Sequence, residues 1–281
     1  MKLFFKIASA VMLLACPFIA LNAQTSSVDQ SWELVKKKAA AEHKLILVDL
    51  YFTGCAPCAQ MDKEVFPDPK VKAFLDANYI TFKSDILKEE IAKKISMKYG
   101  VTGFPTFLFL NADGQLIDNA AGFKSADQFL ALLQEERNVG QKGIFKKYSP
   151  KIQEQDYPEF YKSAYLENKR NVPFDVVDSY LQAQPSLLAE VPFVIITGLR
   201  VGNKYDDFFL KNIAVLSKDF GSASVSSHVY TIVKRKKIQF EKANDLESFK
   251  KLKEEVRPVF SEEEWMKFQD GLMKDFDVAK S

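Results

Sequence analysis

Cysteine and histidine are scarce in this 281-residue chain, with three of the first and two of the second. Tetrahedral zinc usually wants four nitrogen or sulfur ligands. His43 and His228 stand far apart in the sequence, so no convincing zinc set forms around the cysteines. An excess of charge of either sign is missing too. With Lys2 and Lys6 of the leader set aside, 37 of the 39 lysines and arginines face 37 aspartates and glutamates. That balance gives no global field to recruit nucleic acid or an anionic lipid surface. No repeat period strong enough for a solenoid is present.

Residues 1–23 read as a secretory signal. Lys2 and Lys6 make a short positive start, Ile7 to Leu21 is almost wholly apolar, and Asn22-Ala23 offers a small-residue cleavage site before Gln24. The apolar run is short for a membrane span, and the chain turns polar at Gln24 with no stop-transfer pattern. An uncleaved N-terminal anchor is the alternative. Leu13-Leu14-Ala15-Cys16 also resembles a bacterial lipoprotein box, from which Leu14, Pro17 and the apolar residues before Asn22 depart. The expected setting is the periplasm or the cell exterior.

With the leader removed, Cys55 and Cys58 are the only cysteines, in the run Cys55-Ala56-Pro57-Cys58. An oxidising compartment ordinarily uses cysteine for structural staples. A staple across two residues constrains the unfolded chain little, so entropy gives small reason for one. The pair falls where a buried strand turns into a helix. Unpaired amide donors at a helix start stabilise a thiolate and pull its pKa below the free value of about 8.5. Thiol–disulfide exchange is the chemistry such a pair suits.

Along the first half, helix and strand alternate. Residues 28–42 carry Trp32, Val35 and Ala39 at helical spacing, and Leu45 to Phe52 is the near-continuous apolar run of a strand buried on both faces. A helix follows the cysteines, and a second opens at Asp68-Pro69. Tyr79 to Phe82 reads as a strand, 86–98 as a helix and Thr106 to Leu110 as another strand. Asn111-Ala112-Asp113-Gly114 turns the chain into an antiparallel partner over 115–121. Ser125 with Gln128 makes a capping box for a helix near 125–137.

Residues 139–150 hold two glycines, lysines and a proline, and read as a linker. Beyond it only helices are expected, near 157–168, 173–183, 186–199, 204–220, 224–240, 245–256 and 261–275. The aromatics Phe208, Phe209, Phe220, Tyr230, Phe240, Phe260, Trp265 and Phe268 supply a core for 151–281, with an exposed subset as a candidate client or homodimer surface. Lys234-Arg235-Lys236-Lys237 reads as a solvated helix face.

Residues 28–138 resemble the thioredoxin family over nearly its whole length. The resemblance rests on Leu47-Val48-Asp49, the Cys55–Cys58 motif, Lys98-Tyr99-Gly100-Val101-Thr102-Gly103-Phe104-Pro105-Thr106, Asp113-Gly114, Gly122 and Lys124. Met61 to Leu75 looks closer to the exported branch that includes the C-terminal domain of the transmembrane electron carrier DsbD. The family's tryptophan before the first cysteine is Gly54 here, a departure expected to expose the sulfurs more.

The resemblance implies an α/β thioredoxin fold over 24–138, a central mixed sheet flanked by helices, followed by an all-α C-terminal domain. It implies no bound cofactor. Cys55 is the expected exposed nucleophile and Cys58 the resolving thiol. Pro105 is expected as a cis-proline that frees the preceding backbone to pair with a substrate strand. Asp49, the one charge in a buried strand, should have a raised pKa and is a candidate proton acceptor for Cys58, with a purely structural carboxylate as the other reading. Lys83 is a candidate for the family's buried lysine beside this aspartate, and a surface position for it stays open. Pro57 withholds an amide donor from Cys55, which points to a reductase or isomerase. The implied substrates are disulfides of other exported proteins, and the implied electron source is a membrane thiol donor of the DsbD type. A client-binding or assembly protein, with the helical half dominant and the dithiol secondary, is the alternative.

Overall fold

The structure is a computed structural model and describes residues 27–199 and 201–277. The expected signal peptide and Cys16 lie outside the described residues. In the first half, α1 (Ser27–Glu42), β1 (Leu45–Tyr51), α2 (Ala56–Gln60), α3 (Pro69–Asn78) and β2 (Tyr79–Asp85) are followed by α4 (Glu90–Lys98), β3 (Thr106–Leu110), β4 (Leu116–Ala121) and α5 (Ala126–Gln141). The strands form one sheet in the order β2-β1-β3-β4. β1 runs parallel to β2 and antiparallel to β3, and β3 runs antiparallel to β4.

Local chemistry explains most boundaries. Asp68 caps α3 by accepting from the amides of Lys70 and Val71, with Pro69 at the first helical position. Ser125 and Gln128 form the expected capping box of α5, although the helix runs on to Gln141. β2 extends to Asp85 rather than ending at Phe82. The helix expected from residue 86 opens only at Glu90, because the Asp85 carboxylate takes the Leu87 amide and Glu89 Oε1 takes the Asp85 amide. These side-chain bonds hold a turn in place of a first helical turn.

The second half contains α6 (Glu159–Leu166), α7 (Phe174–Gln182), α8 (Glu190–Gly198), α9 (Asp206–Lys211), α10 (Ile213–Phe220), α11 (Ser222–Ala243), α12 (Leu246–Val256) and α13 (Glu262–Gln269). The single helix expected over 204–220 is two. Asn212 breaks it with a non-helical ψ of 12°, and its Nδ2 donates back to the Phe208 carbonyl at 2.7 Å. Among the described residues no helix is long and apolar enough to cross a membrane.

The sheet has two unequal faces. Leu47, Phe107, Phe109 and Ile117 lie under α3, α5 and the turn after α2, packed on Met61, Val71, Phe129 and Leu133. On the other face Ile46, Val48, Leu108 and Leu116 belong to one continuous apolar cluster with Ile91 and Ile95 of α4 and with Phe193, Phe220, Val225 and Val229 of the helical half. α11 lies along the edge strand β4. The second half therefore shares a core with the sheet, where a self-contained helical core was expected. Of the aromatics expected in that core, Phe209, Phe220 and Phe260 are fully buried and the others pack partly buried against it.

Residues 142–150 are equally engaged. Lys146 N–H donates to Leu116 O at 2.7 Å and Lys147 N–H to Asp219 O at 2.6 Å. The buried Tyr148 ring lies between Tyr99 and Phe220, at centroid distances of 4.8 and 5.3 Å. Glu190, buried on α8, accepts from the Ser149 amide at 2.6 Å, Lys98 Nζ at 3.2 Å and the Tyr157 hydroxyl at 3.3 Å. A buried carboxylate needs such partners. The basic run is engaged as well: Arg235 pairs with Asp206, Lys236 with Asp207, and Lys237 donates to the carbonyls of Gly271 and Lys274. These side chains are half-exposed and their contacts reach neighbouring elements at the surface, while Lys234 is exposed.

Because one cluster serves both halves, chemical unfolding of the whole chain should be a single transition. Tyr148→Ala removes a buried ring from the joint and should lower stability by about 3–5 kcal/mol, read from urea curves. Two separated transitions in the wild type would contradict the shared core.

Candidate active site

β1 leaves the sheet at Tyr51, and its neighbour β3 enters at the same end, with Leu50 paired to Thr106. This antiparallel register brings the Cys55 loop and the Phe104–Pro105 loop together. Phe52 and Phe104 meet edge to face across them, with ring centres 5.6 Å apart. The Phe104–Pro105 peptide is cis. Pro105 O accepts from Gly122 N–H at 2.9 Å, and Thr106 Oγ1 donates to Gly103 O at 2.7 Å, so both sides of that loop are tied.

Cys55 is the N-cap of α2, in extended conformation at φ −73° and ψ 105°. Its Sγ accepts the Cys58 N–H at 3.3 Å. The N-cap side chain normally accepts from the second or third helical amide; here the third amide does so, and Pro57 at the second position has none to give. Cys55 and Cys58 are joined in a disulfide. Both are buried, at 5% and 4% exposure. The expectation of an exposed Cys55, opened further by Gly54, is corrected: the sulfurs face each other and the Cys58 amide, and so point into the turn. Gly54 answers a backbone need. Its φ of +98° lies in the region an L side chain adopts only with strain.

Asp49 lies on the sheet face covered by the helix of Cys58, since Leu47 and Phe107 of that face pack on Met61. It is 2% exposed. The parallel register of β1 and β2 sets it opposite Lys83. Lys83 Nζ stands 3.5 Å from Asp49 Oδ2, pairs also with Asp62, and rests over the Tyr51 ring at 4.7 Å. Burial pushes the Asp49 pKa up to about 6, against the pull of the Lys83 ammonium. Lys83 thus meets both expectations in part: it is an exposed residue of β2 whose ammonium still reaches Asp49.

Two features at the site escaped the sequence. The helix after the cysteines passes into a π turn, Met61–Val65, closed by Phe66 N–H on Met61 O at 3.0 Å. Asp85, 1% exposed at the end of β2, accepts from both the amide and the hydroxyl of Thr53. It pins the chain two residues before Cys55. The available signal was an acid closing an apolar strand, which by itself names no partner.

The folded pKa of Asp49 lies above the unfolded value of about 3.9. Its contribution to stability is therefore complete below pH 4 and lost as pH rises through 6. Asp49→Asn does not titrate. Relative to wild type it should gain about 3 kcal/mol between pH 4 and pH 8 in urea unfolding of the oxidised proteins. A constant difference across that range would contradict the assignment.

The model of the thioredoxin-like domain family matches residues 32–137. The chain is 34% identical over 120 residues to the thiol:disulfide interchange protein DsbD of Haemophilus ducreyi, covering 42% of this chain and 20% of that protein. It is 35% identical over 99 residues to DsbD of Yersinia pestis, covering 34% and 16%. A thioredoxin from Thermus thermophilus superposes with a TM-score of 0.36 at 25% identity, over 40% of this chain and 88% of that one. The chain spans a fifth or less of the length of the DsbD relatives. With the paired cysteines at the head of α2 and the family match over 32–137, the first half of the chain is a thioredoxin-like domain, homologous to part of DsbD and continued by a largely helical second half.

Proposed function

We propose that this protein is an exported thiol–disulfide oxidoreductase that reduces or isomerises disulfides in other exported proteins. The observation that carries the reading is the Cys58 amide donating to Cys55 Sγ at the start of α2. In the dithiol form that donor, with the helix start behind it, favours the Cys55 thiolate.

The Cys55 thiolate attacks one sulfur of a substrate disulfide. A mixed disulfide forms, and the first substrate thiolate leaves. The backbone of Phe104, ahead of Pro105, holds an extended stretch of the substrate during this step. Cys58 then passes its proton to the Asp49 carboxylate, through water, and attacks Cys55 Sγ. The second substrate thiolate leaves and takes up a proton. Two electrons have moved to the substrate, and the protein carries the Cys55–Cys58 disulfide. Isomerisation returns the mixed disulfide to a different pairing in the substrate, with no net electron transfer.

Resetting requires an external dithiol to attack the protein disulfide and leave it reduced. A membrane thiol donor of the DsbD type fits that need in a compartment outside the reach of soluble nicotinamide-linked reductases. Pro57 removes one amide that would otherwise strengthen the thiolate, which favours the reducing direction. Export rests on the leader of residues 1–23.

Cys55→Ser should abolish reduction of insulin disulfides. Cys58→Ser should retain the attack and accumulate a mixed disulfide, seen as a mass increase that dithiothreitol removes. Wild-type turnover in Cys55→Ser would overturn the assignment.

A further inference from the structure

The backbone ladder between β1 and β2 ends where Ile86 N–H donates to Tyr51 O at 2.9 Å. Beyond that point the chain turns through Phe52, Thr53 and Gly54 to bring Cys55 to the head of α2. Cys55 N–H closes the turn on Phe52 O at 3.0 Å. Thr53 and Gly54 are its central residues, and the positive φ of Gly54 is what the second of them needs in a type II turn. Both are exposed, so the sheet and helix cores do not pack them in place. A single backbone hydrogen bond is a weak restraint on such a turn. Its setting therefore depends on whatever else holds Thr53.

The buried Asp85 carboxylate supplies that hold. Its Oδ2 takes both donors of Thr53, the amide at 3.1 Å and the hydroxyl, and its Oδ1 takes the Leu87 amide at 2.9 Å. Lys88 Nζ stands 3.7 Å away. Burial works against the charge, but the Thr53 and Leu87 donors and the Lys88 ammonium outweigh it and hold the carboxyl below the usual carboxylate range. The acid is itself aimed: the Glu89 carboxylate takes the Asp85 amide at 3.1 Å and the Ser84 hydroxyl at 2.8 Å. None of these contacts uses a sulfur, so opening the Cys55–Cys58 disulfide leaves them in place. A fixed Thr53 in turn fixes where Cys55 begins, and with it the reach of Cys55 Sγ to the Cys58 amide.

Resting on the oxidoreductase reading above, we propose that Asp85 is a positioning residue for the thiol chemistry: by gripping Thr53 it sets the turn that carries Cys55, and through that turn the acidity of the Cys55 thiol. Asp85 acts through the Thr53 amide and hydroxyl. A negative charge acting on the sulfur directly would disfavour the thiolate, whereas the grip favours it by keeping the Cys58 amide aligned. The Thr53 hydroxyl separates the two effects, because it can be removed while the charge of Asp85 stays.

The test uses the full chain in its dithiol form. Alkylation of Cys55 by iodoacetamide across pH, read by mass spectrometry, gives the midpoint of that thiol. Thr53→Val keeps the β-branched shape and the Asp85 charge and removes only the hydroxyl donor. It should raise the Cys55 midpoint by about half a pH unit or more, the scale of one hydrogen bond. Thr53→Ser keeps the hydroxyl and should stay at the wild-type value. In an Asp85→Leu background Thr53→Val should add nothing, since the acceptor is gone. Should Asp85→Leu fail to fold, the valine and serine variants at the exposed Thr53 decide alone. A midpoint unmoved in Thr53→Val, even with stability lost in urea, overturns the proposal, and so does an undiminished shift in the Asp85→Leu background. Either result leaves the oxidoreductase reading standing. A wild-type midpoint at the free value of about 8.5 overturns both.

Discussion

The Cys58 amide points at Cys55 Sγ because the chain passes from a buried strand into a helix within a few residues, and the rest of the site is arranged around that turn. Several separate constraints hold it. Asp85 grips Thr53 from the neighbouring strand, Gly54 adopts a φ that other residues resist, and Cys55 N–H returns to Phe52 O at 3.0 Å. Behind it, Asp49 and Asp62 share the Lys83 ammonium, so the one carboxylate buried under the helix is only partly compensated. Partial compensation is what keeps its pKa near neutrality, where a proton acceptor is most useful. A fully satisfied ion pair would have pinned the charge, and an unpaired carboxylate would have stayed protonated.

The helical half is built into this arrangement. Gly100 packs against Val194 and Thr197 of α8, where an added Cβ would come within 3.3 and 3.2 Å of their side chains. Tyr99 meets Tyr148 edge to face, and Tyr161 reaches across to donate to Met97 O at 2.7 Å. The segment leading into Pro105 is therefore fixed from the helical side, while the segment leading into Cys55 is fixed from the sheet. Covering one sheet face and the β4 edge also removes an exposed strand that would otherwise invite pairing with other chains.

Much of the first half was legible in the sequence because its signals are local. An apolar run such as Leu45 to Tyr51, a capped proline such as Asp68-Pro69, and a turn such as Asn111 to Gly114 each specify their own geometry. The candidate site residues were picked out through motifs with fixed spacing. What was missed depends on register and docking. The pairing of Asp49 with Lys83 could be offered only through the family resemblance, since nothing in their spacing says that two parallel strands set them opposite each other. Nothing in Asp85 names Thr53. The burial of the cysteines follows from the turn they make, and Gly54 pointed the other way. In the second half the helices were legible by periodicity, but their apolar faces did not reveal that they close over a sheet, nor that α11 lies along β4.

The central claim is that the Cys55 sulfur, in the dithiol form, is an activated anion and that Cys58 is held behind it. Alkylation of the reduced full-length protein with iodoacetamide across pH, with each cysteine read by mass spectrometry, measures this directly. Cys55 should react first, with a midpoint well below about 8.5, and Cys58 should stay protected until Cys55 is blocked. Two inert thiols, or two thiols of equal reactivity with an ordinary midpoint, would contradict it.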